Sequence, residues 1–182
     1  MKTRLMILSA LFAALTAAGA WIRIPIPPAA ISLQFLFTAM AGILLGWKYG
    51  TLSQAVYVIL GLAGLPIFTL GGGIGYVLQP SFGFILGLVP AAAVMGLVTR
   101  QHITPKRIAL ACAAGLGVIY FLGLIHMALI LNVYLQQAWP VSRLLWSGML
   151  IFLPGDALKT AACCLICPRL AVYLDKMHQS QL

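Results

Sequence analysis

Long apolar runs, separated by short polar or glycine- and proline-rich segments, dominate the chain. They cover roughly residues 5–21, 33–47, 52–65, 82–99, 108–133 and 156–173. A helix that crosses the hydrocarbon core of a bilayer needs about 20 mostly apolar residues, and shorter runs fit where they tilt little or end inside protein. The pattern therefore predicts an all-α integral membrane protein, folded as a bundle of six transmembrane helices in a single domain over residues 1–182.

Three interruptions of the helical pattern are predicted to face the same side of the membrane. The segment RIPIPPAAIS at 23–32 holds three prolines, which disfavour a helix and favour an extended path. Glycines cluster at 71–75, and Pro154-Gly155 is expected to break the chain before a sixth helix that starts near Asp156. Irregular backbone near membrane depth is tolerated where protein or a watery cavity satisfies it, so these breaks predict a pocket on that side.

Composition agrees with a lipid-facing surface. Hydrophobic residues make up 63% of the chain and charged residues 7%, whereas soluble domains carry about 25% charged residues. The net charge of +9 is compatible with nucleic-acid binding, but the basic residues are scattered singly between apolar runs and form no stripe. They are explained by the excess of Lys and Arg on the cytoplasmic side of membrane proteins, and no nucleic-acid partner is predicted.

The basic residues also predict the orientation of the bundle. With a cytoplasmic N-terminus, eight fall inside: Lys2, Arg4, Lys48, Arg100, Lys106, Arg107, Arg169 and Lys176. Arg23 and Arg143 fall outside. This excess places both termini in the cytoplasm of a multi-pass protein. Residues 2–20 also have the pattern of a secretory signal peptide. Because removing them would delete one wall of a small bundle, we expect them to be retained as the first span.

Two charges inside the sixth run are the strongest chemical signal. Asp156 and Asp175 are the two acidic residues of the chain, and Asp175 is expected to be solvated at the cytoplasmic tail. Asp156 and Lys159 are spaced i, i+3 and share one helix face. A charge at the centre of a membrane helix costs about 2.5–3.5 kcal/mol on insertion scales and usually marks a functional site. We expect the two residues to bind a polar solute; an ion pair that only neutralises itself is the alternative.

Other residues give weaker signals. The glycine cluster over 71–75 is expected to form a flexible lid or to approach a ligand closely, with a plain turn as the alternative. Gln34 is placed to bind a ligand or simply to lie at the interface. Tyr120 and His126 are more often packing residues than ligand groups. Ala10, Ala14 and Ala18 form a row of small residues along helix one, which favours close helix packing, within the chain or against another membrane subunit.

Several classes of activity find no support in the sequence. It contains no nucleotide-binding G-x-x-x-x-G-K-[ST], so the chain is not expected to power transport itself. H-E-x-x-H and G-x-S-x-G are also absent, and we predict no catalytic residue, metal site or cofactor. Cys164 and Cys167 form a C-x-x-C, but it lies in an apolar helix, and we predict no redox role for it.

Three segments together resemble one family: IPIPPAAISLQFLFTAMAGILLGWKYG, GLAGLPIFTLGGGIGYVLQPSFGFILG and FLPGDALKTA. The pattern is similar to the BioY family, the biotin-specific S components of energy-coupling factor (ECF) importers. The resemblance covers about residues 24–160 and implies a six-helix S component of the bacterial inner membrane. Biotin would be its transported ligand, with membrane lipids around it. A membrane coupling protein and two ATP-binding subunits would be its partners.

The resemblance also implies roles for particular residues. Asp156 and Lys159 match the family's P-G-D-x-x-K binding segment, and Ala10 and Ala14 match the contact of S components with the coupling subunit. The predicted substrate-binding residues are Gln34, Gly72, Gly73, Tyr76, Tyr120, Asp156 and Lys159.

Two hypotheses from other classes compete with the transport subunit. The first is a membrane enzyme or redox protein that uses Cys164, Cys167 and His126, and it predicts loss of activity on Cys→Ser substitution. The second is a scaffold or channel subunit in which the pair of Asp156 and Lys159 is only structural, and it predicts no stoichiometric ligand.

Overall fold

A computed structural model describes residues 2–179, with side chains up to residue 173. The elements in chain order are α1 (Lys2–Trp21), β1 (Arg23–Ile26), β2 (Ala29–Ser32), α2 (Gln34–Leu62), α3 (Phe82–Val98), α4 (Pro105–Ala128), α5 (Val141–Leu145) and α6 (Leu153–Gln179). A 3-10 turn covers Ile74–Leu78, and π-helical turns extend α4 over Leu129–Tyr134 and α5 over Trp146–Leu150. The side chain of Asp175 lies outside the described residues.

The long helix α2 is two antiparallel helices joined at Gly46. This glycine has φ 76° and ψ 174°, a conformation that is essentially restricted to glycine. The hydroxyl of Thr38 donates to Oε1 of Gln54 at 2.9 Å, whereas a straight helix would separate these residues by about 24 Å. A Cβ placed on Gly50 would lie 2.7 Å from the Cα of Gly42, so the two halves also touch beside the reversal. The chain therefore turns back as expected between the second and third apolar runs.

The helices pack in a sheet-like order that closes into a bundle. α1 lies against α2, α2 against α3, and α3 against α4, while α6 contacts both α2 and α4. Glycines permit the close approaches: a Cβ on Gly42 would meet the carbonyl of Ala92 at 2.6 Å, and one on Gly87 would lie 3.0 Å from Ile119. In lipid no hydrophobic effect drives helices together, so close backbone contacts of this kind stabilise the bundle by van der Waals packing.

A buried polar cluster ties α1 to both halves of α2. The amide nitrogen of Gln54 donates to the hydroxyls of Thr16 at 3.3 Å and Ser53 at 3.2 Å, while its oxygen accepts from Thr38. All four side chains are fully buried. Since every polar atom in this set has a partner, the cluster fixes the relative register of three helical segments without leaving an unpaired group.

The segment after α1 is a small antiparallel hairpin. β1 pairs with β2 so that Arg23 lies opposite Ser32 and Ile26 opposite Ala29. The predicted extended path is confirmed: residues 23–32 form a two-stranded sheet within an otherwise helical chain. Pro25 lies in β1, and Pro27 and Pro28 form the turn, so the missing backbone donors fall at positions where a two-stranded edge tolerates proline.

The predicted break at Pro154-Gly155 is wrong. α6 begins at Leu153, and the amide of Asp156 donates to the carbonyl of Phe152 at 3.0 Å. Pro154 is tolerated there because the first turn of a helix has no intrahelical acceptor for its N–H groups. The preceding chain, from Val141 onward, is itself helical with π turns, so the entry into α6 is nearly continuous.

Four helical stretches among the described residues are long and apolar enough to cross a membrane: Lys2–Trp21, Gln34–Leu62, Pro105–Tyr134 and Val141–Tyr173. Phe82–Val98 is a shorter apolar helix. These lengths support a multi-pass membrane protein. Gln34–Leu62 is folded back on itself at Gly46, so this stretch consists of two helical segments.

Candidate ligand-binding site

One end of the bundle contains a cavity of about 90 Å³. It lies below the β hairpin, at the start of α2, α3 and α6 and beside the second half of α4. Its walls are mainly apolar, and its polar lining is contributed by Ser32, Gln34, Thr69, Ser81, Tyr120, Asp156 and Lys159. The hairpin, the connection before α3 and the start of α6 each contribute residues to this lining.

A charged triad forms the polar centre of the cavity. Nζ of Lys159 donates to Oδ1 of Asp156 at 2.7 Å, and the hydroxyl of Tyr120 donates to Oδ2 of the same carboxylate. Asp156 is 6% exposed and Lys159 is 8% exposed. A buried ion pair recovers the cost of desolvation only with additional hydrogen bonds, and Tyr120 supplies one here. Nζ of Lys159 has two further protons, which are available to a ligand.

The position of the triad follows from local helix geometry. Asp156 lies in the first turn of α6, where the positive end of the helix dipole favours a negative side chain. Lys159 follows one turn later on the same face and lies over the carboxylate. Tyr120 reaches the pair from α4, and Phe152 closes the apolar side.

Gln34 joins the cavity to a second internal hydrogen-bond chain. Its amide oxygen accepts from the hydroxyl of Ser32 at 2.8 Å, and its amide nitrogen donates to the hydroxyl of Tyr57 at 2.7 Å. Tyr57 in turn donates to the carbonyl of Ile67 at 3.0 Å. The side chain is buried inside the protein, not free at the membrane interface, and it lines the cavity.

The glycine-rich connection supports the cavity from behind. Tyr76 is buried, and its hydroxyl lies 2.9 Å from Thr69 Oγ1 and 3.4 Å from Ser81 Oγ, both of which line the cavity. Gly72 and Gly73 are not part of the cavity lining; the amide of Gly73 donates to the carbonyl of Gly61 at 2.7 Å. The structure therefore places these three predicted residues one layer away from the cavity.

Some lining residues had no signal in the sequence. The apolar wall consists of Phe35, Phe84, Ile85, Leu88, Leu116, Ile119 and Phe152. In a chain that is 63% hydrophobic, such residues look like any other lipid-facing or packing position. Thr69 and Ser81 stand out only because the connection around them is otherwise apolar or glycine-rich.

The alanine row of α1 lines a separate apolar groove. Ala10, Ala14 and Ala18 are exposed, whereas Ala13 of the parallel row is buried against the core. The groove has a volume of about 420 Å³ and runs between α1 and the second half of α2, with Val56, Tyr57 and Leu60 on its other side. Tyr57 therefore contributes to this groove while its hydroxyl bonds the cavity residue Gln34.

The residues of the redox hypothesis are not brought together. Cys112, Cys163 and Cys167 are buried and Cys164 is partly buried, and all four are free thiols. Cys112 contacts Cys163, so this group lies beside the first third of α4. His126 is about 20 Å further along the same helix, packed edge-on against Phe82. Within residues 2–173, no group of His, Cys, Asp or Glu side chains has the arrangement of a metal site.

Comparison with solved structures identifies the class of this membrane protein. The fold matches a crystal structure of the S component for biotin from an ECF-type ABC transporter, with a TM-score of 0.81 and 29% sequence identity over 93% of this chain and 91% of the other. A structure of FolT bound with folic acid shares the fold at a TM-score of 0.63 and 21% identity, covering 90% of this chain and 91% of that one.

Sequence comparison identifies the family. The BioY family model matches residues 1–176, and the chain therefore belongs to the BioY family. It is 40% identical to a probable biotin transporter BioY of Lysinibacillus sphaericus, over 93% of this chain and 87% of the relative. It is 35% identical to the biotin transporter BioY of Thermotoga maritima, over 92% and 95% of the two chains. These relatives are transport proteins, which confirms the prediction that the chain is not an enzyme.

Proposed function

We propose that this protein binds biotin in the cavity beneath the β hairpin and mediates its uptake as the S component of an ECF transporter. The observation that carries the proposal is the buried triad of Asp156, Lys159 and Tyr120 in a largely apolar cavity. Membership of the BioY family and the match to an S component for biotin support the choice of ligand.

The chemistry of biotin fits the lining. The molecule has a ureido ring with two N–H donors, a sulfur-containing ring and a carboxylate tail. Two arrangements are compatible with this chemistry. In the first, the carboxylate of Asp156 accepts hydrogen bonds from the ureido N–H groups, and the ammonium group of Lys159 pairs with the tail carboxylate. In the second, Lys159 neutralises Asp156, and the ligand binds through other lining residues. The apolar wall packs against the rings, as is usual in small-molecule pockets.

Ligand entry requires the lining to move apart. Pockets for small molecules commonly have volumes of about 300–1,000 Å³, and the cavity described above is much smaller. The hairpin residues Ala29 and Ala30 form part of its roof and are tethered through Ser32 and Gln34. Movement of the hairpin and of the glycine-rich connection that holds Gly72, Gly73 and Tyr76 would open the site towards the outer face.

Energy for uptake is assigned to partner subunits. The chain has no nucleotide-binding motif, and a membrane coupling protein with two ATP-binding subunits would supply that step. The exposed alanines Ala10 and Ala14 offer a surface on which a partner helix approaches closely, since small side chains let helix backbones come together in lipid.

The proposed arrangement in the membrane has six crossings. The two halves of α2 cross separately, both termini are cytoplasmic, and the cavity faces outward in the bacterial inner membrane. The basic residues that flank the helices support this orientation, because Lys48, Arg100 and Lys106 all lie at the end of the bundle away from the cavity.

Equilibrium binding of biotin to the purified protein in detergent tests the proposal, with thiamine and riboflavin as competing vitamins. We expect stoichiometric binding of biotin alone, weakened at least tenfold by Asp156→Asn, since hydrogen bonds to charged groups contribute about 1.5–3 kcal/mol. A matched control is Cys164→Ser, which leaves the cavity unchanged. Folded protein that binds none of the vitamins would favour the scaffold hypothesis and contradict ours.

A further inference from the structure

A second groove lies at the opposite end of the bundle from the proposed biotin site. Its volume is about 520 Å³. The end of α3 and the turn after it form one side, the reversal of α2 forms the floor, and α6 forms the other side. Its lining residues are Ile43, Leu44, Leu45, Gly46, Trp47, Gly96, Thr99, Arg100, Gln101, His102, Ile103, Pro168, Ala171 and Val172.

The groove changes from apolar to cationic along the bundle axis. The first half of α2, α3 and α6 all run towards this end, so residues earlier in each segment lie deeper. The deep part is formed by Ile43, Gly96 and Pro168, whereas the rim carries Arg100 and His102, both exposed. This order matches the order of groups in a phospholipid, whose acyl chains lie deeper in the bilayer than its phosphate.

Charge at the rim favours a negative headgroup. None of the lining residues is acidic. The guanidinium of Arg107 donates to Oε1 of Gln101 at 3.3 and 3.4 Å, and Nζ of Lys48 lies 5.4 Å from the ring centroid of Trp47. Asp156 is the one carboxylate among the described side chains, and it is paired with Lys159 at the other end of the bundle.

We infer that this groove binds one anionic diacyl phospholipid of the phosphatidylglycerol type. The phosphate lies at the rim against Arg100 and His102, and one acyl chain occupies the space between Leu44 and Pro168. Trp47, at the edge of the groove, is a typical anchor at the membrane interface. A basic pocket between helices on the cytoplasmic side is a favourable place for an anionic headgroup, because each basic residue near the surface strengthens binding about fivefold.

Native mass spectrometry and thermal unfolding of the purified protein test this inference. The added lipids are phosphatidylglycerol and phosphatidylcholine with identical acyl chains, and inorganic phosphate is added separately. We expect one phosphatidylglycerol to remain bound per chain and to raise the unfolding temperature, with little effect of phosphatidylcholine. Arg100→Gln is expected to weaken retention about fivefold. Lys106→Gln removes the same charge at the same end but outside the groove, and it is expected to change retention less than twofold.

A second variant tests the apolar part without changing charge. Ala171→Phe fills the groove from α6 and is expected to remove the bound lipid while leaving biotin binding at the opposite end unchanged. Equal retention of the two lipids would overturn the inference. Equal losses of lipid retention in Arg100→Gln and Lys106→Gln would show only a general attraction of the lipid to the basic surface. Full displacement of the lipid by inorganic phosphate would show that the rim binds free anions instead. Each of these results leaves the proposed biotin site untouched.

Discussion

At the scale of single residues, the carboxylate of Asp156 determines the chemistry of the cavity. It accepts from Lys159 and Tyr120, so two neighbouring helices converge on one buried charge. The i, i+3 spacing made Asp156 and Lys159 predictable from sequence because intramembrane charges are costly. Tyr120 is a weaker candidate, since a separation of 36 positions from Asp156 gives no sign of their contact. The glycine cluster that contains Gly72 and Gly73 predicts a lid or a close approach to a ligand, but the sequence does not reveal whether these glycines line a cavity or support one.

Removing one member of the ion pair is expected to destabilise the protein more than removing both. Lys159→Met leaves a buried carboxylate without its main partner, and breaking such a pair costs about 3–5 kcal/mol. The double variant Asp156→Asn, Lys159→Met leaves no buried charge and is expected to recover most of the loss. Thermal unfolding in detergent measures both. A double variant as unstable as Lys159→Met would contradict this account of the pair.

At the scale of elements, the reversal inside α2 shows what sequence patterns convey. The apolar runs on either side of Lys48 predicted two helices, and the structure confirms that the chain folds back between them. The sequence did not single out Gly46, because the chain has 18 glycines and only a few have a positive φ. The start of α6 was placed too late because proline and glycine usually interrupt helices, whereas Pro154 here occupies the first turn.

A side chain at Gly46 is expected to destabilise the reversal. Gly46→Ala forces alanine into a conformation that costs about 1–3 kcal/mol, although a Cβ there would have free space. Gly117→Ala is the matched control, because Gly117 lies within α4 and its Cβ also meets nothing within 4 Å. Alanine favours a helix over glycine, so the control is expected to keep or raise the unfolding temperature. Equal unfolding temperatures for the two variants would show that alanine adopts the backbone conformation at position 46 without strain, which would contradict this prediction.

Bulky residues on the exposed row of α1 are expected to separate ligand binding from uptake. Ala10→Leu with Ala14→Leu fills the groove opposite Val56 and Leu60, so a partner helix no longer approaches closely. Biotin binding in detergent should stay within about twofold, because the groove is distinct from the cavity, while uptake by cells that hold the complete transporter should fall at least tenfold. Ile7→Leu, exposed on the same helix, serves as the control. Unchanged uptake would exclude this face as the coupling surface.

At the scale of the whole molecule, the distribution of charge is as informative as the distribution of apolar residues. Basic residues gather at the end that holds the second groove, and the polar cavity lies at the other end. Composition and charge predicted a multi-pass membrane protein, which is confirmed, whereas the outward orientation of the site stays a prediction. They could not supply the closure of the cavity, because the contacts of the hairpin with the start of α2 depend on how all helices pack.

Single cysteines in a variant without native cysteines are expected to report the orientation. A membrane-impermeant thiol reagent added to intact cells should label Arg143→Cys, in the short helix α5 on the cavity side. It should label Lys106→Cys only after the membrane is opened. None of the four native thiols lines the cavity, so their replacement by alanine should preserve biotin binding. Labelling of Lys106→Cys in intact cells would reverse the proposed topology.

The pairing of Asp156 with Lys159 has an electrical consequence. Together the two side chains carry no net charge, so a carboxylate-bearing ligand gives the loaded site a single negative charge. Moving one elementary charge through a membrane potential changes the free energy by about 2.3 kcal/mol per 100 mV. In a cell whose interior is negative, that work opposes inward movement of the loaded site. The empty site carries no net charge and would return without this electrical work. The dependence of the uptake rate on membrane potential therefore reports directly on whether the ligand crosses as an anion.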